Sequence, residues 1–323
     1  FAFFMTIPEL TWTDGAMTLV TGETTINGWT VGGDSLSRLS TSGLFTAILM
    51  SVLAVQLYRL CVKRKWVIKM PEAVPEGVSR SFTALVPAFV VAITVIFING
   101  AFIFMGTDIY KVIAIPFAFV TNITNTLPGI IVIYLLVHAL WIVGIHGANI
   151  VMGLVNPILL ANMAANVDGA SYAFAGEFTN AYVTIGGSGA TLGLTLFIAF
   201  FAKSEQLKML GKAAIGPALF NINEPIIFGM PVVYNPILAI PFMVAPIVSA
   251  TIAFLAVNSG LVGKAIVQTP WPSPVGLGAF VGSGGDIKAG ILAVICALVA
   301  FAIWFPFIKV YDAKLVKEEQ GAA

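Results

Sequence analysis

The chain has 323 residues, 16 of them basic and 15 acidic, for a net charge of +1. Only 10% of residues are charged, against roughly a quarter in a soluble globular domain, while 59% are apolar. A soluble fold has too little charge here to cover itself, which excludes soluble and disordered classes and predicts a polytopic, all-α membrane protein embedded in lipid. No basic stripe points to nucleic acid. The two cysteines, Cys61 and Cys296, are far apart and form no CxxC, so neither a metal site nor a redox framework is implied, and no cofactor is expected. Cys61 lies beside Lys63, Arg64 and Lys65 and reads as a structural cysteine.

The chain opens in an apolar run, Phe1-Ala2-Phe3-Phe4-Met5, without the charged start of a signal peptide, and reads as lacking its natural N-terminus. The stretch 11–40 is polar, with Asp14, Glu23, Asn27 and Asp34 and a single basic residue, Arg38. A membrane helix needs about 20 mostly apolar residues. Candidate spans are 42–60, 82–105, 128–146, 148–165, 184–202, 236–257 and 288–308. Asn149, Asn156, Pro157 and Asn162 weaken the fourth, and 109–121 is short enough to suit an interfacial helix. The connection 63–80 carries Pro71 and Pro75.

Basic clusters orient the spans. Arg59, Lys63, Arg64, Lys65 and Lys69 form one, Lys203, Lys208 and Lys212 another, and Lys309, Lys314 and Lys317 a third. All three are expected on the cytoplasmic side, with 11–40 outside and the C-terminus inside. Four crossings between the first two clusters meet that parity. If 148–165 only re-enters, 109–121 is the segment left to cross.

Ionisable groups within a membrane cost about 2.5–3.5 kcal/mol at mid-helix and are candidates for function. They are His138, His146, Asp168, Glu177, Glu224, Lys264 and Asp286, with Asp108 and Lys111 in the interfacial stretch. Glu224 stands out, in Phe220-Asn221-Ile222-Asn223-Glu224-Pro225. Prolines at 217, 225, 231 and 236 break this segment, so its exposed backbone must line protein or a watery cavity. A carboxylate and two amides at such a break suit a polar, uncharged solute, and burial there would raise the carboxylate's pKa. The plainer reading is a Glu that caps a half-helix.

In Trp141-Ile142-Val143-Gly144-Ile145-His146-Gly147-Ala148-Asn149, the Trp and His are five residues apart, about 140° around an ideal helix. Gly144 and Gly147 allow unwinding that brings them together. An aromatic face, an imidazole and an amide suit a sugar, whose apolar face packs on Trp and whose hydroxyls need donors and acceptors. An interfacial Trp with a His at the water boundary is the plain alternative. His138 reads as structural. Trp271, between Pro270 and Pro272, is either a rigid stacking platform or an interfacial anchor. The run Gly186-Gly187-Ser188-Gly189 through Gly193 lacks the Lys of a phosphate loop, and Gly189 with Gly193 predicts close helix packing. Gly282-Ser283-Gly284-Gly285-Asp286 reads as a turn with Asp286 capping the next helix.

Together, Gly144-Ile145-His146-Gly147, the stretch Tyr182 to Leu192, Phe220 to Gly229, and Trp271-Pro272 followed by Gly284-Gly285-Asp286 resemble the bacterial phosphotransferase system enzyme IIC. The similarity is to its lactose–N,N′-diacetylchitobiose–β-glucoside branch, and within that branch to the diacetylchitobiose transporters. It implies a fold of about ten membrane helices with two re-entrant hairpins, part of whose N-terminal region is missing here. Residues 1–125 would be the remainder of a dimerisation domain and 126–323 the sugar-binding and transport domain of a homodimer in the bacterial cytoplasmic membrane. The resemblance implies import of a β-linked disaccharide, N,N′-diacetylchitobiose foremost, with phosphorylation at C6. Glu224 and His146 would be catalytic, near the C6 hydroxyl. Trp141, Gly147, Asn149, Asn223 and Trp271 would bind the sugar. The donor would be phosphorylated enzyme IIB on a separate chain, since no IIB-type cysteine loop occurs here. A rigid-body movement of the sugar-binding domain would carry the sugar across. Two other readings use the same residues: an ion-coupled secondary transporter with Glu224 carrying the proton, and a non-catalytic scaffold or channel.

Overall fold

The computed structural model describes residues 2–7, 10–13, 15–19, 25–26, 29–30, 37–39, 43–71 and 74–321. Asp14, Glu23, Asn27 and Asp34 of the polar stretch, and Phe1, lie outside the described residues. The chain divides into two compact units, residues 1–120 and 121–323.

The first unit opens with two short antiparallel hairpins, β1 (Leu10–Thr13) with β2 (Ala16–Leu19), and β3 (Thr25–Ile26) with β4 (Trp29–Thr30). They are a small addition to the helical architecture expected from the apolar runs. Gly15 adopts φ +77, the left-handed conformation that a tight turn needs. The Trp12 ring meets Phe104 edge-on at 5.4 Å. Two long helices follow, α1 (Leu44–Lys63) and α2 (Glu76–Phe104), then α3 (Ile109–Thr124). They pack on a small core that includes Met50, Val91, Val95 and Ile109. Asp108 precedes α3, accepts the Lys111 N–H at 2.9 Å, and forms a buried 2.9 Å ion pair with Arg38. Only 17% of the apolar window of α1 is buried, and the same of α2; Phe89 is 66% and Phe97 73% exposed. Such apolar faces are stable against hydrocarbon, not water.

The second unit holds the large core. It comprises α4 (Leu127–Ile142), α5 (Gly153–Val167) preceded by a π-helical stretch Ala148–Met152, α6 (Leu192–Phe200), α7 (Glu205–Leu219), α8 (Glu224–Gly229), α9 (Pro236–Asn258), α10 (Leu277–Gly282) and α11 (Ile287–Gly321). At the centre, α9 packs on α11, where Ser249 Oγ donates to the Cys296 carbonyl at 3.4 Å. Trp304 is fully buried. Asp286 caps α11: Oδ1 accepts the Lys288 N–H at 2.9 Å, while Oδ2 holds the Gly263 N–H at 2.7 Å. At the other end of α11, Asp312 accepts the Lys203 and Ser204 N–H groups that lead into α7, a favourable place for negative charge.

Five helical stretches among the described residues are long and apolar enough to cross a membrane: Phe45–Lys63, Glu76–Phe104, Ala148–Val167, Pro236–Asn258 and Ile287–Gly321. The interrupted fourth candidate is therefore a continuous 20-residue run, and 128–146 is the short helix α4. The run 184–202 is a correction. Gly186, Gly187 and Gly189 adopt φ of +80, +99 and +87, so residues 184–191 form a loop and α6 has only nine residues. The Gly189–Gly193 helix pairing does not form. Gly189 lies in the loop, where an added Cβ would stand 2.3 Å from Phe242 of α9, and Gly193 meets a different helix, 2.5 Å from Phe301 of α11.

Candidate functional site

The first wall of the site is the end of α4. Gly144 at φ +81 turns the chain after Ile142, and Tyr234 closes over the turn, its N–H donating to the Ile142 carbonyl and its hydroxyl to the Val143 carbonyl. The turn folds His146 back on the buried Trp141, with ring centroids 4.3 Å apart. Sequence spacing alone, 140° of arc, would hold them apart; the glycine conformation brings them together. Gly147 is required by close approach, because a Cβ there would lie 1.9 Å from the Val137 carbonyl oxygen. The Asn149 N–H donates to His146 Nδ1 at 3.2 Å, which puts the imidazole proton on Nε2. The indole N–H of Trp141 is buried without a hydrogen-bond partner.

The second wall is the break between α7 and α8. Asn221 sits at φ +62 and ties three segments together. Its Oδ1 accepts the Gly186 N–H at 2.8 Å, and its Nδ2 donates to the Trp271 and Ser273 carbonyls at 3.1 and 3.2 Å. The Asn223 amide donates to the Ser188 carbonyl at 2.6 Å and to Thr191 Oγ1 at 2.8 Å. Its amide nitrogen thus holds the glycine loop and leaves Oδ1 as its remaining polar atom. Gly187 presses so closely on Asn223 that a Cβ would fall 2.4 Å from that oxygen. Glu224 is the first residue of α8, but it is exposed, and its carboxylate makes no hydrogen bond among the described residues. Both the expected burial and the helix-cap reading are corrected: the Asn223 carbonyl, not Glu224, receives the N–H groups of Ile226 and Ile227 in α8.

These walls enclose a cavity of about 560 Å³, within the roughly 300–1,000 Å³ of small-molecule sites. Trp141, His146, Asn149, Asn223, Glu224 and Trp271 all line it. Gly147 does not; it sits against Val137 behind the lining. His138 is also outside. Its Nδ1 donates to the Tyr134 carbonyl at 2.7 Å and its Nε2 accepts the Gly189 N–H at 3.1 Å, while Trp304 Nε1 donates to the Gly189 carbonyl at 2.8 Å. His138 and Trp304 clamp one peptide of the glycine loop, a structural role. Glu177 is visible in the sequence only as an ionisable group in apolar surroundings, and Asn221 as one of the two amides at the Pro225 break; Asn180 and Thr184, which also line the cavity, carry no local signal.

Residues 3–246 match the family described as phosphotransferase system, EIIC. The chain belongs to this family. Among EIIC relatives, it is 38% identical over 307 residues to the lichenan permease IIC component of Bacillus subtilis (strain 168), covering 89% of this chain and 66% of that one. It is 37% identical to the cellobiose-specific EIIC component of Geobacillus stearothermophilus, covering 90% and 67%. The lactose-specific EIICB component of Staphylococcus aureus is 34% identical, with 90% and 52% covered. The chain thus spans about two thirds of the length of the first of these relatives. Among solved structures, ChbC, the IIC component from the N,N′-diacetylchitobiose-specific phosphotransferase system, superposes with a TM-score of 0.83 at 35% identity, covering 99% of this chain and 75% of that one. EIIC membership places the chain among multi-pass membrane transporters and does not favour the ion-coupled alternative. The family model ends before Trp271, whereas the alignments with these relatives, over 89–90% of the chain, run past it.

Proposed function

We propose that the chain is the membrane-embedded permease of a phosphotransferase system, importing a β-linked disaccharide and presenting its C6 hydroxyl to phosphorylated enzyme IIB on a separate chain. The carrying observation is that one cavity holds a carboxylate without a hydrogen bond, Glu224, beside an imidazole with Nε2–H and two indoles. Trp141 and Trp271 supply flat apolar faces for sugar rings. Glu224, an acceptor only, takes the C6 hydroxyl proton; His146, protonated on Nε2, donates to a sugar oxygen. As the hydroxyl oxygen bonds to phosphorus, the phosphorus–sulfur bond of the phosphocysteine breaks and the thiolate leaves on IIB. The names of the relatives support two substrates to try first, N,N′-diacetylchitobiose and cellobiose.

We assign residues 1–125 to a dimerisation domain and 126–323 to sugar binding and transport, in a homodimer in the bacterial cytoplasmic membrane. The exposed apolar faces of α1 and α2 support the first role. The C-terminus is placed in the cytoplasm, on the strength of the basic clusters. With 184–202 no longer a span, the two stretches between the first two clusters that are long and apolar enough to cross, Glu76–Phe104 and Ala148–Val167, keep the number of crossings even. The test is phosphoenolpyruvate-dependent uptake of diacetylchitobiose, cellobiose and lactose in vesicles, with and without IIB. Uptake and sugar phosphorylation that require IIB are expected. Uptake that follows an ion gradient without IIB would overturn the proposal.

A further inference from the structure

The cavity holds a second carboxylate, Glu177, whose surroundings differ from those of Glu224. Both its oxygens are engaged: Oε2 accepts from Asn180 Nδ2 at 2.7 Å, and Oε1 from Gln268 Nε2 at 2.5 Å. Gln268 stands three residues before Trp271 on the proline-rich loop. The other end of that loop is held by Asn221, whose Nδ2 donates to the Trp271 carbonyl at 3.1 Å and to the Asn180 carbonyl at 3.4 Å. The bonds close a ring: Glu177 to Gln268, along the chain to Trp271, to Asn221, to Asn180, and back to Glu177. Trp271 is 50% exposed, and its indole makes no aromatic ring contact among the described residues. Its backbone carbonyl accepts the bond from Asn221, so the loop's backbone is what the ring of bonds holds.

We propose that Glu177 is a positioning residue: it fixes the loop that aims the Trp271 indole into the cavity and takes no part in proton transfer. A charge is suited to this task because hydrogen bonds to a carboxylate are stronger than neutral ones, and two amide donors from separate segments satisfy it at the cavity wall. The two cavity carboxylates thus divide the work. Glu224 is unengaged and available to a ligand; Glu177 is engaged and structural. The sugar-binding consequence rests on the proposed function above, but the positioning itself does not.

The test separates the two. The protein labelled with 5-fluorotryptophan in detergent, without sugar, gives a fluorine resonance for Trp271, assigned by loss in Trp271→Phe. Glu177→Gln should broaden or split that resonance and leave the other indoles unchanged. Gln268→Ala, which leaves the carboxylate in place, should do the same and serves if Glu177→Gln folds poorly. The exchange Glu177→Gln with Gln268→Glu rebuilds an amide–carboxylate bond and should restore the single line. With sugar, Glu177→Gln should weaken binding about tenfold, the scale of one charge-assisted hydrogen bond. It should keep the transfer rate at saturating sugar and add nothing in a Trp271→Ala background. An unaltered Trp271 resonance in both single variants overturns the inference. So does loss of transfer at saturating sugar with that resonance intact. A wild-type protein that binds no β-linked disaccharide overturns the proposed function, while the fluorine spectra still decide this one.

Discussion

The backbone N–H of Asn149 donates to Nδ1 of His146 at 3.2 Å, so the imidazole of the site presents a proton, not a lone pair. Glu224, whose carboxylate takes no donor among the described residues, is the group we propose as acceptor for an incoming hydroxyl proton.

That assignment predicts unequal effects of amide substitution. His146→Gln retains a donor and should keep measurable phosphoryl transfer, whereas Glu224→Gln loses the carboxylate proposed to take the proton and should abolish it. Because Glu224 is exposed, Glu224→Gln should leave stability within about 0.5 kcal/mol, as for other surface changes. Transfer from purified phospho-IIB and melting in detergent check both. Wild-type transfer in Glu224→Gln would remove the residue from the mechanism.

The two tryptophans should respond differently to truncation. Trp141 is 4% exposed and Trp271 50%. Trp141→Ala opens a core cavity and should cost about 3–5 kcal/mol of stability. Trp271→Ala should leave the fold intact and weaken sugar binding strongly. Unchanged affinity in Trp271→Ala would return that residue to an interfacial anchor.

Asn221 joins the glycine loop to the Trp271 loop through a buried bond from Gly186 and part-buried bonds to the Trp271 and Ser273 carbonyls. Asn221→Gly keeps the left-handed backbone but strands the Gly186 N–H and the Trp271 carbonyl, and should destabilise by about 2–4 kcal/mol. Thermal unfolding in detergent reads it, and a change below about 0.5 kcal/mol would show that water replaces the amide.

Gly189 and Gly77 form an opposed pair. A Cβ at Gly189 would meet Phe242 at 2.3 Å in a backbone at φ +87, so Gly189→Ala should destabilise severely. Gly77, exposed near the start of α2, has nothing within 4 Å, and Gly77→Ala should stabilise by about 0.5–1 kcal/mol through the loss of backbone entropy in the unfolded chain. Equal melting temperatures for the two variants would contradict the loop geometry.

Composition was sufficient for the membrane class, because sparse charge and long apolar runs are compatible with no other solvent. Local backbone chemistry was sufficient for the two breaks that carry the site: prolines around Glu224 and glycines around His146 interrupt helices whatever their neighbours do. The same apolarity misled at 184–202, where a glycine loop buried in protein has the composition of a lipid-facing helix; only the left-handed conformations of Gly186, Gly187 and Gly189 separate the two. Glu177 was legible as an ionisable residue and Asn221 as an amide at the Pro225 break, but neither could be matched with the partners it meets. Glu177 meets Gln268 across 91 residues of chain, and Asn221 meets Trp271 across 50. Contacts of that range follow from how the helices close on one another, which periodicity does not encode. Glu224's freedom to face the cavity was settled the same way, since its exposure depends on what the rest of the fold leaves open.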